Sequence, residues 1–303
     1  MTALTFTLLA LLSLPAALSG QGEVGVLRAT LLDTEGEEAG GAAGEEVFTF
    51  TRNLIFFTGE LDGKPGQFIL DTGAPSLLVN TRGRGAGGAH RGTALGGELP
   101  LRHHRIESFR LAGREIGRRW VLGSDLRAME ARTGHRIDGY VGYDLLHSAA
   151  LRIDYAAATF SLRKSERRPR HRGRAPSHDL RLTFSDHLPV VTLTVGGRKL
   201  RFAVDTGAGS NLIDPRHAEL FAATDRLANL QGLDGRAATY PIFTTDLLEA
   251  PAVDFVALPL DELQSPDGPP LAGILGSDFL SRFTAEVDYR RRRLHLWAGA
   301  SED

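Results

Sequence analysis

The sequence predicts a mostly β protein in which one domain occurs twice. The tripeptide Asp-Thr-Gly begins at Asp71 and again at Asp205, and the residues around both copies repeat at the same offset (205 − 71 = 134). Between them lie short apolar runs that are bounded by Gly or Asp, which is typical of strands. A fixed internal offset marks a repeated structural unit. We therefore expect two β-barrel lobes in one chain, related by a pseudo-twofold duplication.

The repeat extends far beyond the tripeptide. Each copy follows an apolar run, Phe68-Ile-Leu before Asp71 and Phe202-Ala-Val before Asp205. At the same offset the sequence repeats further Gly, Asp and aromatic residues, namely Gly63 and Gly197, Phe109 and Phe243, Gly142 and Gly276, Asp144 and Asp278, and Asp154-Tyr155 and Asp288-Tyr289. Since a second Gly-containing element recurs in register downstream of each copy, the duplication covers a whole domain.

Composition divides the chain into five segments. Leu8 to Leu18 is apolar and leads into small residues, which predicts a secretory signal peptide and a secreted or periplasmic protein. A buried N-terminal helix and a signal anchor are the alternatives. An acidic Gly/Ala-rich stretch predicts a flexible segment, and an Arg-rich stretch with two prolines predicts a solvated linker. The segments are a signal peptide at 1–20, a flexible N-terminal segment at 21–47, a first lobe at 48–163, a basic linker at 164–180 and a second lobe at 181–297.

The overall charge and the cysteine content exclude several classes of function. The formal net charge of the 303-residue chain is −2, and the basic linker has no interleaved aromatic residues, so we expect no nucleic-acid partner. Cysteine is absent, which excludes disulfides, thiolate catalysis and thiolate metal sites. After removal of the signal we expect no stable membrane span.

The apolar pattern predicts ten strands and two short helices. Tyr143 to Ser148 and Ser277 to Arg282 are the predicted helices, each following a Gly. Hairpin turns at Leu61-Asp-Gly-Lys and Val195-Gly-Gly-Arg lead into the two Asp-Thr-Gly strands. The predicted strands are Phe56 to Leu61, Phe68 to Asp71, Phe109 to Leu111, Trp120 to Leu122, Ala150 to Tyr155, Val190 to Val195, Leu200 to Asp205, Ala252 to Leu258, Ala285 to Tyr289 and Arg293 to Trp297.

Two carboxylates in contact predict hydrolysis through an activated water. Close carboxylates cannot both ionise, so they share one proton, and one acts as base while the other acts as acid. Asp71 and Asp205 are the predicted catalytic pair. The neighbouring residues are predicted to support the loops: hydroxyls that bond across the interface at Thr72 and Thr206, tight turns at Gly73 and Gly207, and no carboxylate-bonding hydroxyl at Ala74 and Ala208.

These loops resemble the active-site loops of the retropepsin and pepsin-like aspartic peptidases. In that family an apolar-apolar-Gly element crosses behind each loop, and Tyr140-Val-Gly and Ile274-Leu-Gly match it. The resemblance covers residues 48–163 and 181–297. It implies a retropepsin-like fold, an aspartic endopeptidase acting on peptide or protein substrates, and neither cofactor nor metal. Since both half-sites lie in one chain, we expect a monomer with in-chain pairing.

Two other functional readings stay open. The first is a catalytically silent peptide-binding or scaffold protein on the same fold. The second has two lobes that face apart and pair between chains. A flap over the substrate is the least specified part, because no Tyr lies between Ile55 and Ile137. Gly-rich stretches nominate Gly96 and Gly97 for a first flap, and Gly232 and Gly235 for a second.

Several other motifs are interpreted as structural. The Gly pattern from Gly83 to Gly88 lacks a following helix, which favours a loop over a dinucleotide site. His103-His104 has no ligand-spaced partner, and Ser185-Asp-His187 holds triad residue types without a nucleophile elbow. We interpret the repeated acidic residues outside the two tripeptides as structural, at the start of a helix for Asp144 and Asp278 and at the end of a strand for Asp154 and Asp288.

Overall fold

The computed structural model describes residues 8–12, 23–27, 44–84, 90–94, 97–231, 237–261 and 268–298. Strands dominate it, as predicted. In the first part of the chain the elements are β1 (Leu8–Leu12), β2 (Glu23–Leu27), β3 (Glu45–Thr51), β4 (Leu54–Leu61), β5 (Lys64–Leu70), β6 (Leu78–Asn80), β7 (His90–Ala94), β8 (Gly97–Ile106), β9 (Phe109–Leu111), β10 (Arg114–Ile116), β11 (Arg119–Ser124), α1 (Arg127–Thr133), β12 (Gly139–Val141), α2 (Tyr143–Leu146), β13 (Ala150–Asp154) and β14 (Thr159–Arg163).

The second part of the chain repeats several of these elements. Its elements are β15 (His178–Ser185), β16 (Leu188–Val195), β17 (Arg198–Val204), β18 (Leu212–Ile213), a 3-10 helix (Pro215–Leu220), β19 (Ala222–Gln231), β20 (Ala237–Leu247), β21 (Ala250–Ala257), β22 (Gly273–Leu275), α3 (Ser277–Leu280), β23 (Phe283–Asp288) and β24 (Arg293–Ala298). At the 134-residue offset β4, β5, β12 and α2 fall on β16, β17, β22 and α3 with identical bounds.

Strand pairing repeats together with the sequence. β12 lies parallel to β5 and antiparallel to β6, and β22 lies parallel to β17 and antiparallel to β18. The hairpin turns before β5 and β17 are both two residues long, and Asp62, Gly63, Gly196 and Gly197 all have positive φ. Such turns match the right-handed twist of the flanking strands.

A six-stranded antiparallel sheet contains strands of both halves. Its order is β3, β14, β13, β23, β24 and β15. The central pair, β13 and β23, comes from corresponding positions of the repeat, with Arg152 opposite Glu286. The axis that relates the halves therefore passes between these two strands.

The strand that leads into each Asp-Thr-Gly is buried on both faces. Phe68 and Leu70 belong to one apolar cluster, which includes Phe57, Phe109 and Phe160, whereas Ile69 belongs to a second cluster. Alternating side chains of a strand point to opposite faces, so a strand between two cores is apolar throughout. This is the physical reason for the uninterrupted apolar runs before the two aspartates.

The segment predicted as a solvated linker is held by specific contacts. Pro169 is buried, and the carbonyl oxygens of Arg170 and Arg174 accept hydrogen bonds from Arg152 Nη1 (2.9 Å) and Trp297 Nε1 (3.0 Å). These donors project from β13 and β24 of the six-stranded sheet. The backbone of the linker supplies the acceptors, and composition gives no indication of this.

The N-terminal region contributes two described strands. β1 and β2 pair with each other, and β2 lies beside β7, β8 and β19. They lie in the predicted signal peptide and in the predicted flexible segment, respectively. No helix in the described ranges is long and apolar enough to cross a bilayer.

Candidate active site

Asp71 and Asp205 lie where β5 and β17 end. The Asp71 N–H donates to the carbonyl of Val141 on β12 (3.0 Å), and the Asp205 N–H donates to that of Leu275 on β22 (3.0 Å). Each aspartate is thus fixed by the parallel neighbour of its own strand. Both side chains are almost completely buried, at 0% and 1% exposure.

The predicted crossing element packs directly behind each Asp-Thr-Gly loop. Tyr143 N donates to the Ala74 carbonyl (2.9 Å), and Ser277 N donates to the Ala208 carbonyl (2.7 Å). A Cβ added to Gly142 would overlap the Ala74 carbonyl, so only glycine permits this approach. The apolar-apolar-Gly element of each half therefore supports the Asp-Thr-Gly loop of that half from behind.

Two threonines join the loops across the molecule. Thr72 Oγ1 accepts from Thr206 N (3.0 Å) and donates to the Val204 carbonyl (2.9 Å). Thr206 Oγ1 accepts from Thr72 N (3.0 Å) and donates to the Leu70 carbonyl (2.8 Å). Each hydroxyl thus satisfies one buried donor and one buried acceptor of the other half. The four bonds fix the separation of the two loops.

The two carboxyl groups face each other at hydrogen-bonding range. A Cβ added to Gly73 would overlap the Asp205 carboxyl, and one added to Gly207 would overlap the Asp71 carboxyl. Asp71 Oδ1 accepts from the N–H groups of Gly73 (2.8 Å) and Ala74 (2.9 Å), and Asp205 Oδ1 accepts from that of Gly207 (2.8 Å). Each glycine therefore holds its own aspartate and leaves space for the opposite one.

Burial and mutual repulsion hold a proton on this pair. Burial raises the pKa of Asp71 well above its ordinary value, and the charge of Asp205 raises it further. Burial also raises the pKa of Asp205, to about 7. Within the described residues, Oδ2 of neither carboxyl accepts a hydrogen bond from an N–H or hydroxyl group. One ionised and one protonated carboxyl, with two oxygens left for a water, can act as base and acid together.

The other repeated aspartates make structural contacts. Asp144 and Asp278 lie in the first turns of α2 and α3, as predicted, but the N-cap residues are Gly142 and Gly276, and no side chain caps either helix. Asp144 Oδ1 instead accepts from Leu77 N (2.9 Å), and Asp278 Oδ2 accepts from Asn211 Nδ2 (2.9 Å). Both therefore anchor the chain that follows a catalytic loop. Burial raises the pKa of Asp144 to about 7.

The aspartates at the strand ends close turns and hold the linker. Asp154 Oδ1 accepts from Ala157 N (3.0 Å), and Asp288 Oδ1 accepts from Arg291 N (2.9 Å). Asp288 Oδ2 also accepts from Ser165 Oγ of the linker (2.6 Å).

A buried Glu286, Asp288 and His295 cluster has metal-ligand residue types. Their ligand atoms lie within 4.8 Å of one another. However, Arg152 donates to Glu286 Oε2 from two nitrogens, at 2.8 Å and 2.6 Å, and Asp288 already accepts from Ser165. A cation would have to displace these bonds, so we interpret the cluster as an ion-pair network. His103 and His104 are neighbours on β8 and point to opposite faces, so one ion cannot bind both.

Gly97 is the predicted flap residue that lies within the described part of the chain. Gly97 begins β8 and pairs with Ala94 of β7. Gly96, Gly232 and Gly235 lie outside the described residues, as does Gly85 to Gly88 of the Gly-rich stretch. Gln231 of β19 pairs with Ala237 of β20, so a hairpin flanks the second pair of glycines.

Two contacting residues were missed as site residues. His187 Nε2 lies 2.8 Å from the Gly73 carbonyl, and Asn53 Nδ2 donates to the Gly209 carbonyl (2.9 Å). Each reaches from one half into the catalytic loop of the other. They too are separated by the repeat offset (187 − 53 = 134), which was the available signal. A different residue type at the two positions hides the correspondence.

Residues 191–279 match the family model described as aspartyl protease. This part of the chain is an aspartyl protease domain. The domain contains Asp205, its supporting loop and the Gly276 element behind it. Residues 57–145, which lie 134 residues earlier, contain Asp71 in the same framework. No curated protein matches the sequence closely enough to be named as a relative.

Proposed function

We propose that the protein is an aspartic endopeptidase in which the two halves act as paired lobes. The observation that carries the proposal is the pair formed by Asp71 and Asp205. Both are buried, each stands against the glycine of the opposite loop, and their Oδ2 oxygens accept no hydrogen bond from the described residues outside the pair. Two carboxylates in contact repel each other, so one of them must stay protonated. We do not expect such a pair in a site that has only a structural role.

The chemistry follows from one shared proton. The ionised carboxyl takes a proton from a water molecule as the water oxygen attacks the peptide carbonyl carbon, and the protonated carboxyl gives its proton to the carbonyl oxygen. The C–N bond then breaks as the amine nitrogen takes a proton from the first carboxyl. The second carboxyl recovers its proton from a hydroxyl of the intermediate. The pair again holds one proton, so the cycle can repeat.

The substrate is expected to be a peptide or protein. The hairpins β7–β8 and β19–β20 are the candidate flaps, one from each half. An extended peptide between them could form strand-like hydrogen bonds with their edges, and this would present the scissile bond to the pair. The shared loops and the six-stranded sheet support activity of a monomer.

The decisive experiment is proteolysis of a peptide library, followed by mass spectrometry. The wild-type protein should cleave internal peptide bonds, and a hydroxyl-containing transition-state mimic should block the cleavage. A purified Asp205→Asn protein should be inactive. Binding of peptides by the wild type without any cleavage between pH 3 and 8 would instead favour the silent scaffold protein.

Assembly and export need separate tests. Activity per molecule should stay constant on dilution while light scattering gives the mass of a monomer. A loss of activity that accompanies a dimer-to-monomer change would contradict in-chain pairing.

We also propose export through the N-terminal signal. N-terminal sequencing of protein from fractionated cells should find the cleavage near residue 20, outside the cytoplasm.

A further inference from the structure

His187 connects the second half to the loop that carries Asp71. It is the second residue of the two-residue turn between β15 and β16, and it is 2% exposed. Its Nε2 lies 2.8 Å from the Gly73 carbonyl oxygen. A carbonyl only accepts, so Nε2 carries the hydrogen, and it does so whether the ring is neutral or protonated.

The bond reaches Asp71 through a single peptide group. The Gly73 carbonyl belongs to the same peptide group as the Ala74 N–H, and that N–H donates to Asp71 Oδ1 (2.9 Å). A hydrogen bond to an amide oxygen polarises the amide and strengthens its N–H as a donor. His187, the peptide group and the Asp71 carboxyl therefore form a chain of hydrogen bonds.

The corresponding residue of the first half does not make the same contact. Asn53 donates to Gly209 (2.9 Å), two residues beyond the glycine that holds Asp205. Asn53 thus ties the opposite loop in place without reaching the peptide group next to Gly207. The two catalytic loops are similar, but they are supported differently from across the interface.

We propose that His187 is a positioning residue of the catalytic pair, which aligns and polarises the Gly73–Ala74 peptide group toward Asp71. The proposal rests on the proposed peptidase function. Asp71 and Asp205 are the same residue type, but this contact stabilises a negative charge on Asp71 and has no counterpart for Asp205 among the described residues. In this role His187 acts through the Gly73–Ala74 peptide group.

Other charges near Asp71 do not mask this effect. Asp205 is the partner whose charge raises the pKa of Asp71. Tyr140 and Tyr289 are the other described titratable groups that sense Asp71, and burial raises the pKa of both phenols. They stay neutral at acidic and neutral pH, so neither phenol accounts for a shift in this range.

The test compares donor and non-donor side chains at one position. His187→Leu removes the donor, whereas His187→Gln keeps an N–H of similar reach. The pH dependence of kcat/KM should show the basic limb of His187→Leu, at which Asp71 loses the shared proton, displaced upward by about 0.5–1 pH unit, since bonds to an anion lower the pKa of its acid. The limb of His187→Gln should stay near the wild-type position. Asn53→Ala is the matched control, because it breaks the corresponding contact and should leave the limb in place.

A second readout does not depend on peptidase activity. The carboxyl carbons of ¹³C-labelled aspartate can be titrated by NMR in the wild type and each variant, with Asp71→Asn used for assignment. His187→Leu should raise the midpoint of the pair, and His187→Gln should not. An unchanged midpoint together with a lower Tm, as in Asn53→Ala, means that His187 is only structural.

If His187→Leu does not fold, a midpoint displaced in His187→Gln overturns the proposal. Absence of cleavage in the wild type would contradict the peptidase, while the titration still decides the role of His187.

Discussion

Arg152 and Glu286 occupy corresponding positions of the two halves and form an ion pair with each other. They are register partners on β13 and β23, and the Arg152 guanidinium donates to Glu286 Oε2 from Nε (2.8 Å) and Nη2 (2.6 Å). Both side chains are nearly buried, at 8% and 2% exposure. Two identical halves would bring Arg against Arg or Glu against Glu here. The pairing of the first half with the second is thus favoured by charge.

Charge reversal at this axis should destabilise the protein strongly. Arg152→Glu would place two buried carboxylates together, which we expect to cost about 3–5 kcal/mol of unfolding free energy. Arg152→Glu combined with Glu286→Arg should recover part of the loss. The recovery stays incomplete, because Arg152 also donates to Arg170 and lies 4.9 Å over the Trp297 ring.

Denaturant unfolding measures this prediction. Arg198→Glu is the matched control, because Arg198 and Glu219 form an exposed pair at 3.1 Å. It should change the unfolding free energy by less than about 1 kcal/mol. Additive effects of the two axial substitutions would be evidence against a direct interaction.

Replacing either catalytic aspartate should abolish hydrolysis without unfolding the protein. We expect Asp71→Asn and Asp205→Asn to lower kcat by about 10²–10⁴-fold or more, because one shared proton needs two carboxyls. The amide oxygen can still accept the bonds from the loop. Asp144→Asn is the control, since it removes a carboxyl outside the pair that is 14% exposed, and it should retain activity. Substantial cleavage by either catalytic variant would mean that a single carboxylate suffices.

The same variants should change how stability depends on pH. A carboxyl whose pKa is raised in the folded protein binds more protons there than in the unfolded chain. Its contribution to stability is therefore lost as the pH rises from the unfolded value, about 4, to the folded value, about 7 for Asp205. Asp205→Asn should lose less stability than the wild type between pH 4 and 8. Thermal unfolding across this range measures it, and parallel curves would contradict a raised pKa.

The hydroxyl group of Thr72, which bonds across the two loops, should contribute more to stability than the methyl group of the same side chain. Thr72→Val leaves the Thr206 N–H and the Val204 carbonyl unpaired, at a cost of about 1–3 kcal/mol for each buried group. Thr72→Ser keeps the hydroxyl and should remain close to wild type. Urea titration of both variants separates lost hydrogen bonding from lost packing. If the two variants lose the same unfolding free energy, the hydroxyl of Thr72 contributes no more to stability than its methyl group, which contradicts the prediction.

The glycines of the catalytic loops should not tolerate a side chain. Gly207→Ala would drive a Cβ into the Asp71 carboxyl, so the loops must separate. We expect a loss of about 1–3 kcal/mol in stability and a marked loss of activity. Gly117→Ala is the control, because no atom lies within 4 Å of its added Cβ. That variant should stay within about 0.5 kcal/mol of wild type by the same measurement.

The pH–rate profile should be a bell that lies above the range of a strongly acidic peptidase. Ala74 and Ala208 give no hydroxyl bonds to the carboxyls, and burial raises the pKa of both acids. We expect an optimum near neutral pH, because Asp205, whose pKa is about 7, must be ionised while Asp71 keeps the shared proton. The limbs of the bell belong to the pair. Ala74→Ser should move the basic limb downward, because a hydroxyl bond favours the ionised form. An optimum near pH 2, or no shift in this variant, would assign the titration to other groups.

The sequence predicts the catalytic framework better than its surroundings. β4, β5 and β12 and their repeats are marked by apolar runs and by the Asp-Thr-Gly tripeptides, because strands buried on both faces permit few polar residues. The helix α1 was missed. It is seven residues long, has no side-chain cap and buries Met129 and Thr133, which is too little periodicity to recognise. The contact of His187 with Gly73 spans 114 residues, and no local pattern specifies such a distance.

The bonds between Thr72 and Thr206 can form only after both halves of the chain have been synthesised. A ribosome adds residues from the N-terminus, so Asp71 and its glycine are made long before residue 206. Until then the Thr72 N–H has no Thr206 hydroxyl to bond, and Asp71 has no second carboxyl with which to share a proton. The growing chain thus remains without a complete catalytic pair while most of it is synthesised. The proposed hydrolysis can begin only after the part of the chain that carries Asp205 has folded against the part that carries Asp71.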